Sequence, residues 1–168
     1  TLSFHYTAGT DGIDYSIVIE ENNIPDYIEQ VGIIADSTRH ILTNVMGFHK
    51  EIDDEDGKYD IYIVDLHNDY GWNYVDNNDD ITGTSWVELD NDYVEDIYYT
   101  HGLKAMRVSA AHEFFHAIQR AYRLPAFDHD FFLEMSSMWF EDLIVPDCND
   151  YLGWVDNLSY TIFRNPTQ

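Results

Sequence analysis

The segment Lys104–Arg123, KAMRVSAAHEFFHAIQRAYR, decides how this chain reads. Met106, Val108, Ala110, Ala111, Phe114, Phe115, Ala117, Ile118 and Ala121 recur at helical spacing and surround the axis almost completely, so the segment reads as a buried helix. Within it stands His112-Glu113-Phe114-Phe115-His116. Histidines four positions apart project from one helical face and can meet one ion. Glu113, one residue on from the first histidine, sits beside that ion and can take a proton from its water. Such a five-residue pattern also arises by chance, and helix histidines are commonly packed or solvent-facing. Burial favours the chemical reading: two buried imidazoles need partners, an unpaired buried carboxylate is costly, and a zinc ion with its water satisfies all three groups.

Catalytic zinc takes three protein ligands and leaves a fourth position open. Gln119 and Tyr122 occupy the positions that would be Gly and His in the longer HExxHxxGxxH pattern, which is thereby excluded. Asp128, His129 and Asp130 sit in the following turn, whereas Glu134, 18 residues after His116, falls near the start of the next helix, Asp130–Val145, which Pro146 halts. A packed helix positions a ligand better than a turn, so Glu134 ranks first. A solvent-facing Glu134 is the plainer alternative.

Outward from these two helices, a long amphipathic helix of about 20 residues is expected from the Asn22/Asn23 cap and Pro25 to a stop at Gly47. Strands are expected at Leu2–Thr7, Ile13–Glu20, Tyr59–Asp65 and Thr84–Leu89, with an Asp/Asn/Gly-rich loop between the last two. The whole is an α+β domain spanning residues 1–168, read either as complete or as a fragment of a longer chain. Of its 168 residues 45% are hydrophobic and 15% aromatic, enough for a real core. There are 32 acidic and 8 basic residues for a net charge of -24, which argues against nucleic acid and anionic membranes as partners. Cys148, the single cysteine, has no internal disulfide partner and reads as a structural thiol.

The charge is uneven: 23 acidic residues against 3 basic ones lie between Thr1 and Leu103. Asp53–Asp56, Asp76–Asp80 and Asp90–Asp92 are its densest runs, and solvated loops are the simple reading. Calcium, which favours clustered oxygen ligands, is the sharper one, although Ile52 stands where an EF-hand would begin with Asp.

His112-Glu113-x-x-His116 with a downstream glutamate resembles the gluzincins, the thermolysin-like zinc peptidases. More closely, AAHEFFHAIQ (110–119) and EMSSMWFED (134–142) resemble a group of secreted bacterial metalloproteases. Phe4–Tyr6, IPDY (24–27), KYDIYI (58–63) and DNDY (90–93) follow that group's order. The resemblance implies a zincin-like domain, a small twisted sheet on a long backing helix and the HExxH helix, with His112, His116 and Glu134 holding Zn2+ and Glu113 as general base. It also implies an extracellular endopeptidase acting on protein or peptide substrates. One departure is Met138, where thermolysin-like enzymes commonly place an Asp that orients the first histidine. Glu141 and Asp142 are expected to lie too far, since seven residues rise about 10 Å along a helix. Tyr122, His129, Tyr151 and Tyr160 are candidates to polarise the scissile carbonyl. Thr84–Leu89 is expected to be the edge strand that pairs with extended substrate. Two other readings stand beside this one: a catalytically inactive zincin-like module, and a calcium-dependent acidic extracellular binding module.

Overall fold

Tyr59, Ile61 and Ile63 are buried while Asp60, Tyr62 and Val64 between them are only partly so, and this alternation makes one strand of a sheet that has four strands among the described residues. The computed structural model describes residues 2–6, 24–78, 81–123 and 130–153. Its strands are β1 (Leu2–Tyr6), β2 (Tyr59–Val64), β3 (Gly71–Asn78) and β4 (Gly83–Asp90), in spatial order β1-β2-β4-β3. β1, β2 and β4 are parallel, and β3 runs antiparallel along β4 at one edge. With helices α1 (Asp26–His40), α2 (Gly102–Arg120) and α3 (Asp130–Ile144) the architecture is α+β.

Two expectations fail here. The stretch before β4 is no loop: Gly71–Asn78 is a full strand. Its pattern is disguised because the residues turned outward are aromatic, Trp72 and Tyr74, while a polar one, Asn73, turns inward. Asn73 is satisfied there, donating to the Tyr59 hydroxyl (3.0 Å) and accepting from Arg120 Nε (3.2 Å). The expected edge strand, Thr84–Leu89, is interior, since β2 pairs on one side of it and β3 on the other. Among the described strands β3 takes the edge, with a register shift between Val75 and Asn77.

α1 starts from Pro25, whose carbonyl accepts from the N–H groups of Ile28 and Glu29. The expected Asn22/Asn23 cap and the Ile13–Glu20 strand lie outside the described residues. After His40 the helix widens into a π turn, Ile41–Val45, and stops at Gly47, whose φ of +80° suits glycine.

The core lies between the inner face of the sheet and α1 and α2. Tyr27, Val31 and Leu42 come from the first helix and its π turn, Ile61 and Leu89 from the sheet, and Met106, Phe114 and Ile118 from α2, each at most 1% exposed. Side chains of this kind contribute about 1.5–3 kcal/mol apiece on burial. α3 packs on α2, with Phe140 stacked on Phe115 at 5.0 Å. Asp90 departs from the solvated-loop reading: it is fully buried, and its carboxylate accepts backbone N–H bonds from Leu66 (2.9 Å), Asp92 (3.1 Å) and Tyr93 (2.7 Å). Those bonds pin the connection from β4 towards α2, and so fix where α2 begins relative to the sheet.

Candidate metal centre

Three helical residues converge in the groove between α2 and α3. His112 Nε2 lies 3.0 Å from His116 Nε2 and 3.1 Å from Glu134 Oε2, and His116 Nε2 lies 3.3 Å from Glu134 Oε1. The one-turn spacing of the histidines brings their rings to 4.7 Å between centroids. Glu134 reaches them from the second turn of α3, so the turn residues Asp128 and His129, outside the described residues, are not needed to complete a trio. The two imidazoles are 16% and 7% exposed and the Glu134 side chain 56%, so the cluster is dry on the helix side and open to solvent on the glutamate side.

The far nitrogens are held as well. His112 Nδ1 faces Glu141 Oε1 at 2.5 Å, a partner the sequence reading placed out of reach. The two glutamates, seven residues apart, lie on one face of α3 and bracket a single imidazole from opposite ends. The length of the ring and the reach of two flexible side chains close the axial distance. His116 Nδ1 donates to Gln119 Oε1 at 2.7 Å. The Gln119 amide in turn donates to the Leu133 carbonyl (3.1 Å) and Ser136 Oγ (3.0 Å), which fixes the amide orientation and ties α2 to α3. With Nδ1 engaged on both rings, both Nε2 atoms face the same gap.

Glu113 is 7% exposed and stands next to the strand edge: a Cβ added at Gly71 would lie 2.8 Å from Glu113 Cγ and 3.0 Å from the Glu88 carbonyl. Gly71 is therefore the residue that lets β3 and the Glu113 side chain share that space. Burial pushes the Glu113 carboxyl up, opposed by the positive charge of His112 and His116. Burial works to lower His112, but hydrogen bonding to Glu134 and Glu141 and the charge of Glu113 outweigh it and raise it to about 10. Hydrogen bonds from His112 and His116 hold Glu134 far below the usual carboxylate range. With protons in the gap, the cluster is a shared-charge network of two imidazoles and three carboxylates.

The donor set fits a divalent transition metal. A tetrahedral ion with bonds of about 2.0–2.1 Å to nitrogen and oxygen separates its ligand atoms by roughly 3.3–3.4 Å. The contacts here, 3.0 Å between the two nitrogens and 3.1 and 3.3 Å from them to the two different oxygens of Glu134, lie within a few tenths of an ångström of that. No protein-family model, curated protein or solved structure matches this chain.

Other expected groups are distributed as follows. Tyr122 stacks on His49 (4.6 Å) and its hydroxyl accepts the His49 backbone N–H, so it is committed to the loop after the π turn. Tyr151 lies beyond α3, and His129 and Tyr160 are outside the described residues. Asp53, Asp54 and Asp56 bring carboxylate oxygens within 4.8 Å of one another on an exposed loop. Asp53 there accepts N–H bonds from Glu55 and Gly57, and Asp56 accepts one from Lys58. Sequence reasoning missed Gly71 and Gln119 and set Glu141 aside. Only Gln119 left a usable signal, three residues after His116 and so on the same face of α2.

Proposed function

We propose that this chain is a zinc-dependent endopeptidase domain of zincin type, with His112, His116 and Glu134 as metal ligands and Glu113 as general base. The observation that carries the reading is the convergence of the two Nε2 atoms, 3.0 Å apart, on the Glu134 carboxylate, whose Oε2 lies 3.1 Å from His112 and Oε1 3.3 Å from His116, beside a buried glutamate that takes no part in these contacts. Zinc supplies Lewis acidity, drawing the pKa of a water from about 15.7 towards 7. With zinc held there, Glu113 would take a proton from the water that attacks the peptide carbonyl and return it to the leaving amine. Glu141 and Gln119 hold the two imidazoles with Nε2 forward, and the exposed flank of Glu134 gives substrate and water their entry. β3, the edge strand beside Glu113 among the described residues, is the strand on which an extended substrate adds, in place of the interior Thr84–Leu89. The α+β arrangement and the resemblance of the two helical motifs to gluzincins both support the assignment. The extracellular setting rests on that resemblance and accords with the acidic surface. None of the described helices is long and apolar enough to cross a membrane.

The test is a Glu113→Gln variant. It should keep its zinc and its fold while losing cleavage of an unfolded protein substrate. A variant that cleaves at the wild-type rate overturns the proposal.

A further inference from the structure

The sheet has a second face, turned away from α1 and α2. Strand alternation puts Tyr62, Trp72, Tyr74 and Trp86 there, with Trp72 47% and Tyr74 39% exposed. Tyr74 and Trp86 stack at 5.3 Å, and Trp72 flanks Tyr74 at 6.4 Å. The register sets Glu88 opposite Tyr62 on one neighbouring strand and Trp72 on the other, a carboxylate between two rings. A shallow groove of about 410 Å³ runs across this face, lined by Asp54, Asp60, Tyr62, Asp76, Trp86 and Glu88 together with Ser85. Two acidic runs far apart in sequence thus deliver carboxylates to one place; among the described residues no lysine or arginine lines it, and His5 borders it, its ring stacked on Tyr62 at 4.4 Å and its Nε2 2.9 Å from Asp60. Burial and the charges of Asp60, Asp76, Asp54 and Glu88 raise the Tyr62 phenol, a sign that their fields converge.

Aromatic faces among carboxylates suit a cation, because a guanidinium or ammonium group gains from the ring and from the ion pair together. A neutral ligand such as a sugar also stacks on rings, but it would cover four like charges without relieving their repulsion. We propose that this outer face is a docking surface for an extended polypeptide segment carrying several arginine or lysine residues. It lies across the sheet from the histidine cluster and stands whether or not that cluster hydrolyses peptides.

The test is fluorescence anisotropy of a labelled peptide of alternating arginine and glycine, in about 150 mM salt, where exposed charges more than about 8 Å apart are largely screened. The wild-type chain should bind it and not the matching glutamate–glycine peptide. Asp76→Asn with Glu88→Gln, and separately Trp86→Ala, should each weaken binding about tenfold, the scale expected for losing close ion pairs or a cation–π platform. Asp36→Asn with Asp96→Asn removes two exposed carboxylates elsewhere and should change affinity less than about twofold, in line with that screening. Equal losses in the two double variants would make net charge the cause and overturn the proposal. So would equal binding of both peptides, or displacement of the arginine peptide by a neutral oligosaccharide. Should Trp86→Ala fail to fold, the carboxamide pair still decides the question, since it alters only side chains at the surface.

Discussion

On the inner side of the sheet, in the groove of α2 and α3, Glu134 and Glu141 each meet an imidazole, and the Asp90 carboxylate behind them takes three backbone N–H groups. On the outer side Asp54, Asp60, Asp76 and Glu88 share a groove with aromatic rings, and no lysine or arginine among the described residues lines it. The same residue type is therefore organised by buried partners on one face, while on the other the carboxylates gather in one groove where Asp60 meets His5 at 2.9 Å. The lesson is that a net charge of -24 says little by itself: the proposed chemistry rests on the buried Glu113 and Glu141 and the half-exposed Glu134.

The largest effect should come from the inner face. Glu113→Gln should cut cleavage of an unfolded protein by about 10²–10⁴-fold, the range for general acid–base groups, while zinc content stays at the wild-type level. Turnover and metal content measured on the same sample check this. Next, Glu141→Ala should weaken zinc binding by about 10–100-fold, as loss of a ligand's outer partner commonly does, with Asp142→Asn as the neighbouring control. Competition against a chromogenic chelator reads both, and equal affinities would return His112 to solvent orientation alone.

Gly71→Ala sharpens the comparison at the strand edge. Its new methyl meets Glu113 and the Glu88 carbonyl, and overpacking of this kind typically costs about 1–3 kcal/mol. Thermal unfolding should register the loss, and cleavage should fall further than stability alone explains because Glu113 is displaced.

The smallest effect is a proton count. A folded His112 pKa of about 10, against 6.5 for the free side chain, means that the metal-free fold gains stability from this proton below about pH 6.5. That gain fades as the pH rises through 10. A metal ligand must be neutral, so at pH 7.5 zinc uptake should release about one proton from His112. Calorimetry in buffers of different ionisation enthalpy reads that number, and His112→Ala should abolish it along with most of the binding.

Much of this was legible in the chain. α2 announces itself because its apolar residues surround the axis and because the two histidines fall one turn apart, and α3 is bounded by Pro146. β2 alternates cleanly. β3 was hidden because what it turns inward is glycine and asparagine, whose fit depends on Glu113, Tyr59 and Arg120, partners supplied by distant parts of the chain. The rank of Thr84–Leu89 within the sheet followed from the same omission: without β3, it looks like an edge. Glu134 could be chosen from helix spacing, but the reach of Glu141 depends on how closely α2 and α3 approach, a tertiary distance no spacing rule contains. The gathering of Asp54 and Asp76 with Glu88 on one face is likewise set by sheet register, not by the acidic runs themselves.

The central claim is that one transition metal sits between His112, His116 and Glu134. Anomalous X-ray scattering at the zinc edge, on crystals of the wild-type protein purified without chelators, tests it most directly. The account predicts one strong peak within about 2.0–2.2 Å of both Nε2 atoms and a Glu134 oxygen, the usual zinc bond lengths. A well-ordered cluster with the two rings and Glu134 hydrogen-bonded to one another and no anomalous peak between them, in crystals grown with zinc present, would contradict it.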